Sequence, residues 1–367
     1  MTSPAAQSRL QRASADYTVH SGGRVLLLLF GALTVLVALL SGCSTGAVGG
    51  PDEQAAADVE RDGEFPRTVP HAYGETEITE APARVVTISW VNADVSLALG
   101  VVPVGMPRNS FGANAAGSTD WFDAELAAVG GPVPELYSET DGINTEAIAA
   151  LEPDLILGAY SGMSAEQYET LSKIAPTIAM PKGDVAFGTA WQDSTRLIGE
   201  ALGRSAAAEE LVAEVESQIQ QVRTGNPEIA GTTFVYGTVD PGAAEKIYAF
   251  TDVDNRPRFL TELGMVQAPV VAEASSGSPD EFAVTWSPER ADELESDILV
   301  TYAASPQVRA AIESDPLLGR IPAVEAGRMV LQTDEQQVLS ISAASPLSLP
   351  WALDNVVPDI IDAAQQS

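Results

Sequence analysis

The chain has 367 residues, of which 51 are acidic and 19 are basic, and its formal net charge is −32. This acidity excludes nucleic-acid binding, which needs clustered lysine and arginine, and it excludes charge-driven binding to an anionic membrane. The single cysteine excludes an intrachain disulfide. The length is sufficient for two hydrophobic cores, so two domains are expected.

The N-terminal segment is typical of a bacterial export signal, with a basic start, an apolar stretch over residues 25–40 and small residues after it. Leu40-Ser41-Gly42-Cys43 resembles the lipobox of bacterial lipoproteins, in which the cysteine becomes the lipid-modified first residue. We therefore expect a signal peptide over residues 1–42, lipidation of Cys43 and a protein anchored by its lipid at the outer face of the cytoplasmic membrane. Residues 43–65 are rich in Gly, Ala, Asp and Glu and predict a flexible tether. An uncleaved membrane anchor is the alternative.

Folded sequence is predicted from about residue 66 onward. Val85-Val86-Thr87-Ile88 is a β-branched run that predicts a strand. A helix is expected over residues 93–99, closed by Gly100 in the left-handed conformation that is common at helix C-termini. The next strand is expected over residues 101–104.

Residues 144–157 align without gaps on residues 287–300, which indicates an internal repeat of one helix–turn–strand unit. Each unit begins with a residue suited to cap a helix, has a glutamate in the first turn and passes through an aspartate into an apolar strand. These residues are Asn144, Glu146 and Asp154 in the first unit and Ser287, Glu289 and Asp297 in the second. The repeat predicts an α/β fold of two lobes, each with a mainly parallel sheet flanked by helices.

One long helix is predicted between the lobes, over residues 204–225. Apolar residues recur there at steps of three and four, with glutamates on the other faces. Ser205 is expected to cap the start of this helix, and Gly225 is expected to end it. The folded chain is thereby divided into an N-terminal lobe over residues 66–203 and a C-terminal lobe over residues 226–367.

Short motifs occur in a fixed order over residues 66–362, and this order resembles the periplasmic-binding-protein class in which a helix joins the lobes. That class delivers ferric siderophores, vitamin B12 or haem to ABC importers. The motifs are Pro70-His71-Ala72-Tyr73-Gly74, Arg84-Val85-Val86, Leu99-Gly100-Val101, Leu151-Glu152-Pro153-Asp154, Ala201-Leu202-Gly203-Arg204, Gly327-Arg328, Ser345-Pro346-Leu347-Ser348 and Trp351-Ala352-Leu353-Asp354. The resemblance implies a monomeric binding protein, not an enzyme, that has no cofactor and takes an iron-loaded siderophore as its ligand.

The ligand site is predicted from the ends of the strands. A siderophore already surrounds its iron with six oxygens, so its receptor needs aromatic faces and a few arginine or tyrosine donors. In open α/β sheets such a site lies beyond the carboxyl ends of the strands. The candidate ligand-binding residues are Trp90, Arg108, Tyr160, Tyr236, Arg256 and Tyr302. The acidity of the chain favours hydroxamate complexes over trianionic catecholate complexes.

The sequence leaves three alternatives to a siderophore receptor. Cobalamin or haem are possible ligands of the same fold. A bare transition metal is disfavoured, because His71 is the one histidine beyond the signal peptide and Cys43 is predicted to be lipidated. An exported hydrolase with catalytic carboxylates is the alternative of another class, although the sequence has no Gly-x-Ser-x-Gly motif.

Glu146 and Glu289 are the predicted contacts with the transporter. They occupy equivalent places in the two repeat units, each in the first turn of a short helix. In the class that this chain resembles, one glutamate per lobe at these motif positions pairs with arginines on the two permease subunits. The resemblance therefore implies that the two glutamates dock the protein on an ABC permease dimer.

Overall fold

The computed structural model describes residues 62–243 and 246–366. The predicted signal peptide, Cys43 and most of the predicted tether lie outside the described residues. Within the described ranges, no helix is both long enough and apolar enough to span a membrane. The described chain consists of a β-hairpin and two lobes, each of which is built on its own sheet.

The hairpin pairs β1 (Arg67–His71) with β2 (Gly74–Ile78) in antiparallel fashion. The first lobe follows, with β3 (Val85–Thr87), α1 (Asn92–Ala98), β4 (Gly105–Pro107), α2 (Asp120–Val129), β5 (Glu135–Tyr137), α3 (Thr145–Ala150), β6 (Leu155–Leu157), α4 (Ala165–Leu171), β7 (Thr177–Ile178) and α5 (Trp191–Leu202). Its strands lie in the order β5-β4-β3-β6-β7, and every neighbouring pair is parallel.

The helix α6 (Ser205–Gly225) leads into the second lobe. That lobe contains β8 (Thr233–Thr238), β9 (Ile247–Phe250), α7 (Asn255–Glu262), β10 (Val266–Gln267), α8 (Pro269–Ser275), β11 (Ala283–Trp286), β12 (Ile298–Tyr302), α9 (Val308–Ser314), α10 (Pro322–Glu325), β13 (Met329–Gln332), α11 (Glu335–Ser342), α12 (Ser348–Asn355) and α13 (Val357–Gln365). Short 3₁₀ segments lie at Pro227–Ile229, Pro241–Ala243, Pro288–Glu293 and Leu318–Arg320.

The second sheet has the strand order β11-β9-β8-β12-β13, with β10 also paired to β8. Among the described strands of this sheet, β9 is antiparallel to both of its neighbours, β8 and β11, and the other pairs are parallel. The predicted α/β architecture, with two mainly parallel sheets and one long helix between them, is confirmed.

The strand predicted over residues 101–104 is wrong, because the second strand of the first lobe lies at Gly105–Pro107. Pro103 has no N–H to give to a ladder, so the strand begins after it. A Cβ at Gly105 would lie 2.3 Å from Cδ1 of Leu151, so a larger residue there would force the Leu151 side chain to move. Packing against α3 therefore overrides the low strand propensity of Gly and Pro.

The two aspartates of the repeat occupy equivalent places in the two sheets. The carboxylate of Asp154 accepts the backbone N–H groups of Ala83 and Arg84 at 2.8 and 2.9 Å, directly before β3. Asp297 accepts the N–H and the hydroxyl of Thr233 at 2.8 and 2.7 Å, at the start of β8. Because β6 pairs with β3 and β12 pairs with β8, each carboxylate ties together the starts of two central strands. The two aspartates of the predicted repeat therefore have the same structural role in both lobes.

The helix α6 packs against both cores. Its 21 residues span about 31 Å. Ala208, near its start, belongs to the core of the first lobe, whereas Val212, Val215 and Ile219 belong to the core of the second. The helix is therefore a rigid connection between the lobes.

One of two predicted helix caps is present in the structure and the other is not. Asn144 caps α3 as predicted, because its Oδ1 accepts the N–H of Ala147 at 3.0 Å. Ser205 does not cap α6, since it is the first residue of that helix. The carboxylate of Asp62 accepts the N–H of Ser205 at 3.1 Å instead, so the cap comes from the segment before the hairpin.

Candidate functional site

The carboxyl ends of the two sheets carry the candidate ligand-binding residues. In the first lobe, Trp90 lies in the turn after β3, Arg108 follows β4 and Tyr160 follows β6. In the second lobe, Tyr236 lies within β8 and Tyr302 ends β12. Parallel strands end at the same edge of a sheet, so the residues that follow the strands in each lobe share that edge.

Trp90 is an exposed aromatic residue of the first-lobe edge, with 39% of its surface accessible. Its ring centroid lies 6.1 Å from that of Phe187, which is also 39% exposed. The two rings offer apolar faces on which a ligand can stack. Phe187 was not predicted, because it lies in the long loop between β7 and α5, away from any strand end.

Tyr160 lies where the lobes meet. It is 4% exposed, and its hydroxyl donates to the carbonyl of Ser342 in the second lobe at 3.3 Å. The amide of Asn255, at the start of α7, donates to the same hydroxyl at 3.3 Å. Burial raises the pKa of Tyr160 above its usual range. The phenol is therefore a neutral link between the lobes.

The two candidate arginines have different surroundings. Arg108 is exposed, and its Nη1 donates to the carbonyl of Ala116 at 3.3 Å. Arg256 is largely buried and forms a two-pronged ion pair with Asp254, with distances of 2.7 Å from Nε to Oδ1 and 2.6 Å from Nη2 to Oδ2. Its guanidinium carbon lies 3.5 Å from the centroid of the Phe250 ring. The charge of Arg256 is thus already compensated within the lobe.

Tyr236 and Tyr302 differ in their access to solvent. Tyr236 is 1% exposed, and its hydroxyl donates to Oε1 of Gln332, so it lies in the core of the second lobe. Tyr302 is partly exposed, and its hydroxyl lies 3.2 Å from Oγ1 of Thr238. It lines a cavity of about 400 Å³ at the carboxyl edge of the second sheet, to which Phe111 of the first lobe also contributes. A residue of the first lobe thus reaches the edge of the second sheet at this cavity.

Further contacts between the lobes surround α11. Oε2 of Glu335 accepts the N–H of Gly112 at 3.0 Å. Ser345 donates its hydroxyl to Oδ2 of Asp94 at 2.7 Å, and Trp121 donates its indole N–H to the same oxygen at 2.7 Å. Burial raises the pKa of Asp94 to about 6, and these two hydrogen bonds oppose the shift. Separation of the lobes here would break all of these bonds except the one from Trp121, which lies within the first lobe.

Glu146 and Glu289 are both exposed, and each lies in the first turn of its segment. The segment after Ser287 is a 3₁₀ helix at Pro288–Glu293, in contrast to the α-helix at Thr145–Ala150. Ser287 does not cap it, and its hydroxyl donates to the carboxylate of Glu289 instead, which lowers the pKa of that glutamate. The two lobes therefore present one accessible carboxylate each at equivalent places.

No group of three or more His, Cys, Asp or Glu side chains within residues 62–243 and 246–366 is arranged to hold a metal ion. His71 is buried in the hairpin, where its Nε2 lies 2.9 Å from Oγ1 of Thr76. Burial lowers the pKa of His71, which favours the neutral ring. The groups that the described chain offers to a ligand at the two edges are therefore aromatic faces and hydrogen-bonding side chains, not a cluster of metal ligands.

A model of the periplasmic binding protein family matches residues 85–335, which is more than half of the chain. The chain belongs to this family. The matched range includes both sheets, α6 and the residues at both carboxyl edges. It begins at the first residue of β3 and ends at the start of α11.

Two periplasmic binding protein relatives are similar over most of their length. The probable siderophore-binding lipoprotein YfiY of Bacillus subtilis is 26% identical, with 73% of this chain and 77% of the relative covered. The ferric-anguibactin-binding protein FatB of Vibrio anguillarum is 25% identical, with 89% of this chain and 97% of the relative covered. Similarity thus extends over nearly the whole of a complete relative.

The crystal structure of PiaA from Streptococcus pneumoniae in complex with ferrichrome is similar to this fold. It superimposes with a TM-score of 0.75 at 32% sequence identity, and the match covers 82% of this chain and 99% of PiaA. The resemblance to a periplasmic binding protein that the sequence motifs predicted is confirmed.

Proposed function

We propose that this protein is a receptor outside the cytoplasm that binds a ferric siderophore between its lobes and delivers it to an ABC importer. The observation that carries the proposal is the exposed pair of rings, Trp90 and Phe187, at the carboxyl edge of the first sheet. A chelate whose iron is already saturated presents apolar and carbonyl surface rather than open coordination sites, and aromatic faces suit such a surface.

The relatives support this ligand class. YfiY is named as siderophore-binding, FatB is named as ferric-anguibactin-binding, and PiaA was crystallised with ferrichrome. PiaA is also named as an iron uptake ABC transporter substrate-binding protein, and these names favour a receptor over the alternative of an exported hydrolase.

Within the siderophores we assign a neutral ferric hydroxamate rather than a trianionic catecholate complex. The cavity beside Tyr302 is lined by the carboxylates of Asp240, Asp334 and Glu335. Arg256 is paired with Asp254, so of the two candidate arginines only the exposed Arg108 is left to compensate an anionic ligand. Three acidic groups at one edge should repel a trianion bound beside them. Salt screens this repulsion only weakly, because the charges would lie closer together than the Debye length.

The candidate residues take two roles in this proposal. Trp90, Arg108 and Tyr302 have accessible surface at the edges and contact the ligand. Tyr160, Tyr236 and Arg256 are buried and hold the surrounding structure, with Tyr160 as the link between the lobes.

The quenching of tryptophan fluorescence by a panel of iron chelates tests the ligand. Ferrichrome should quench saturably, and a ferric tricatecholate should bind about tenfold more weakly or worse because of the acidic lining. Trp90→Phe should remove a large part of the quenching, whereas Trp286→Phe, which alters a buried indole of the second lobe, should not. Tight binding of cobalamin or haem without any siderophore signal would contradict the proposal and favour a receptor for that ligand.

We also propose that lipidation of Cys43 anchors the protein at the outer face of the cytoplasmic membrane. Replacing Cys43 with Ala removes the thiol to which the lipid would be attached, so the variant should be released into the medium or remain as an unprocessed precursor. Cell fractionation and the mass of the mature N-terminus would measure this. A Cys43→Ala protein that is processed and retained like the wild type would contradict the anchor.

Glu146 and Glu289 are the proposed docking residues for the two permease subunits. Both are exposed, and the repeat places them equivalently in the two lobes. A two-fold permease then meets one carboxylate per subunit, which suits charge-assisted pairing with arginine.

A further inference from the structure

The turn that carries Trp90 has a backbone conformation that is unusual for its residues. Ser89 has a φ of 58° and Val91 a φ of 69°. Positive φ is uncommon outside glycine, and for a β-branched residue such as valine it is a genuine outlier. A conformation of this kind persists only where neighbouring contacts hold it. The contacts of the turn therefore decide where the Trp90 ring lies.

Asn92 holds this turn from the side of β6. Its side chain is fully buried, and Nδ2 donates to the carbonyls of Ile88, Trp90 and Tyr160 at 2.7, 2.9 and 2.9 Å. Its Oδ1 accepts the N–H of Tyr160 at 3.0 Å. One amide thus ties the turn to the strand end that carries Tyr160.

Glu139 holds the turn from the opposite side. It lies just beyond β5, and β4 separates β5 from β3 in the sheet. Its Oε2 accepts the N–H of Ser89 at 2.9 Å. Its Oε1 is buried and accepts no hydrogen bond from any group that the structure describes. The one hydrogen bond that this carboxyl group makes to the described residues is therefore to the turn.

We propose that Glu139 is a positioning residue for ligand binding: its carboxyl group fixes the Ser89–Val91 turn and so orients the Trp90 ring toward the ligand. The proposal rests on the proposed function for the identity of the ligand. The position of Trp90, however, can be measured in the protein without any ligand.

The choice of variants follows from the chemistry of the contact. Burial raises the pKa of Glu139 to about 7, although the hydrogen bond from Ser89 opposes the shift. Because Oε2 can accept a hydrogen bond in the ionised and in the neutral form, the oxygen of an amide should replace it. Glu139→Gln should therefore preserve the contact, whereas Glu139→Ala removes it and Glu139→Asp is too short to reach Ser89.

The experiment compares these variants with Asp141→Ala, which removes an exposed carboxylate from the same loop. Each is made with and without Trp90→Phe, so that the difference spectrum isolates the emission of Trp90. Glu139→Ala and Glu139→Asp should shift this emission, alter its quenching by iodide and weaken ferrichrome binding about tenfold, as expected for loss of one hydrogen bond. Glu139→Gln and Asp141→Ala should stay close to the wild type in all three measurements.

Two results would overturn the proposal. One is an unchanged Trp90 emission in both Glu139→Ala and Glu139→Asp. The other is a loss of binding in Glu139→Gln equal to that in Glu139→Ala with Trp90 unmoved, since the carboxylate would then touch the ligand itself. If the wild-type protein binds no chelate, the proposed function fails, but the emission of Trp90 in the ligand-free variants still decides whether Glu139 positions it. Glu139→Asp serves as the test if Glu139→Ala does not fold.

Discussion

Reversal of Glu146 and Glu289 together to arginine should abolish siderophore uptake while the purified protein still binds its ligand. Both side chains are exposed, so the fold does not depend on them, and neither lines the cavity beside Tyr302. Under the proposed docking, two arginines would face the arginines expected on the permease and replace two attractions with two repulsions, which costs several kcal/mol of docking free energy. Uptake of radioactive iron as the ferric siderophore, by cells that carry the variant as their sole receptor, measures the effect.

The matched control is Glu166→Arg with Asp359→Arg. These acidic residues are also exposed and also lie in first turns, of α4 and α13, so the control makes the same change in net charge and in helix-dipole interaction. It should leave uptake near the wild-type rate. Equal uptake by the Glu146→Arg/Glu289→Arg variant and the control would mean that the two glutamates merely stabilise their helices.

Removal of Asp254 should cause the largest loss of stability among the variants considered. Asp254 is 6% exposed, pairs with the buried Arg256 and accepts the N–H of Arg256 at 2.9 Å as the cap of α7. Asp254→Ala would leave a guanidinium uncompensated in a buried site, which typically costs about 3–5 kcal/mol of unfolding free energy. Urea unfolding followed by circular dichroism measures the change.

A double variant separates the buried charge from the packing. Met in place of Arg256 keeps apolar contact with the Phe250 ring, over which the guanidinium lies, and removes the charge. Asp254→Ala/Arg256→Met should therefore be more stable than Asp254→Ala alone, because a buried ion pair can often be replaced as a unit at little cost. An Asp254→Ala protein within about 1 kcal/mol of the wild type would contradict the assignment of Arg256 as a buried, compensated charge.

The elements that local sequence determines were predictable. The β-branched run over residues 85–88 gave the first strand of the first sheet, and Gly100 has the expected left-handed φ of 74°. Asp154 and Asp297 were recognisable because they occur at the same place in two similar segments, and each accepts hydrogen bonds at the start of the neighbouring strand. Where tertiary contacts decide, the prediction was wrong: Gly105 is a strand residue because it pairs with Val86 and Glu135 of the neighbouring strands, despite its low strand propensity.

The site was only partly predictable for the same reason. Trp90, Arg108 and Tyr302 lie with accessible surface at the strand ends where the sequence predicted them, since the order of strands and helices determines where strands end. It could not show that Tyr236 is buried or that Arg256 is paired, because both facts depend on residues distant in sequence. Neither the ring beside Trp90 nor the carboxyl group that holds its turn lies at a predicted place in the sequence.

The helix between the lobes has a consequence for the timing of transport. A helix packed into both cores keeps its length unless its backbone hydrogen bonds break, so under the proposed docking the spacing of Glu146 and Glu289 should stay nearly constant. A transporter that recognised this spacing alone would bind the ligand-free protein as well as the ligand-bound protein. Empty receptors should therefore compete for the transporter, and the ratio of loaded to empty protein at the cell surface would govern the rate of iron import.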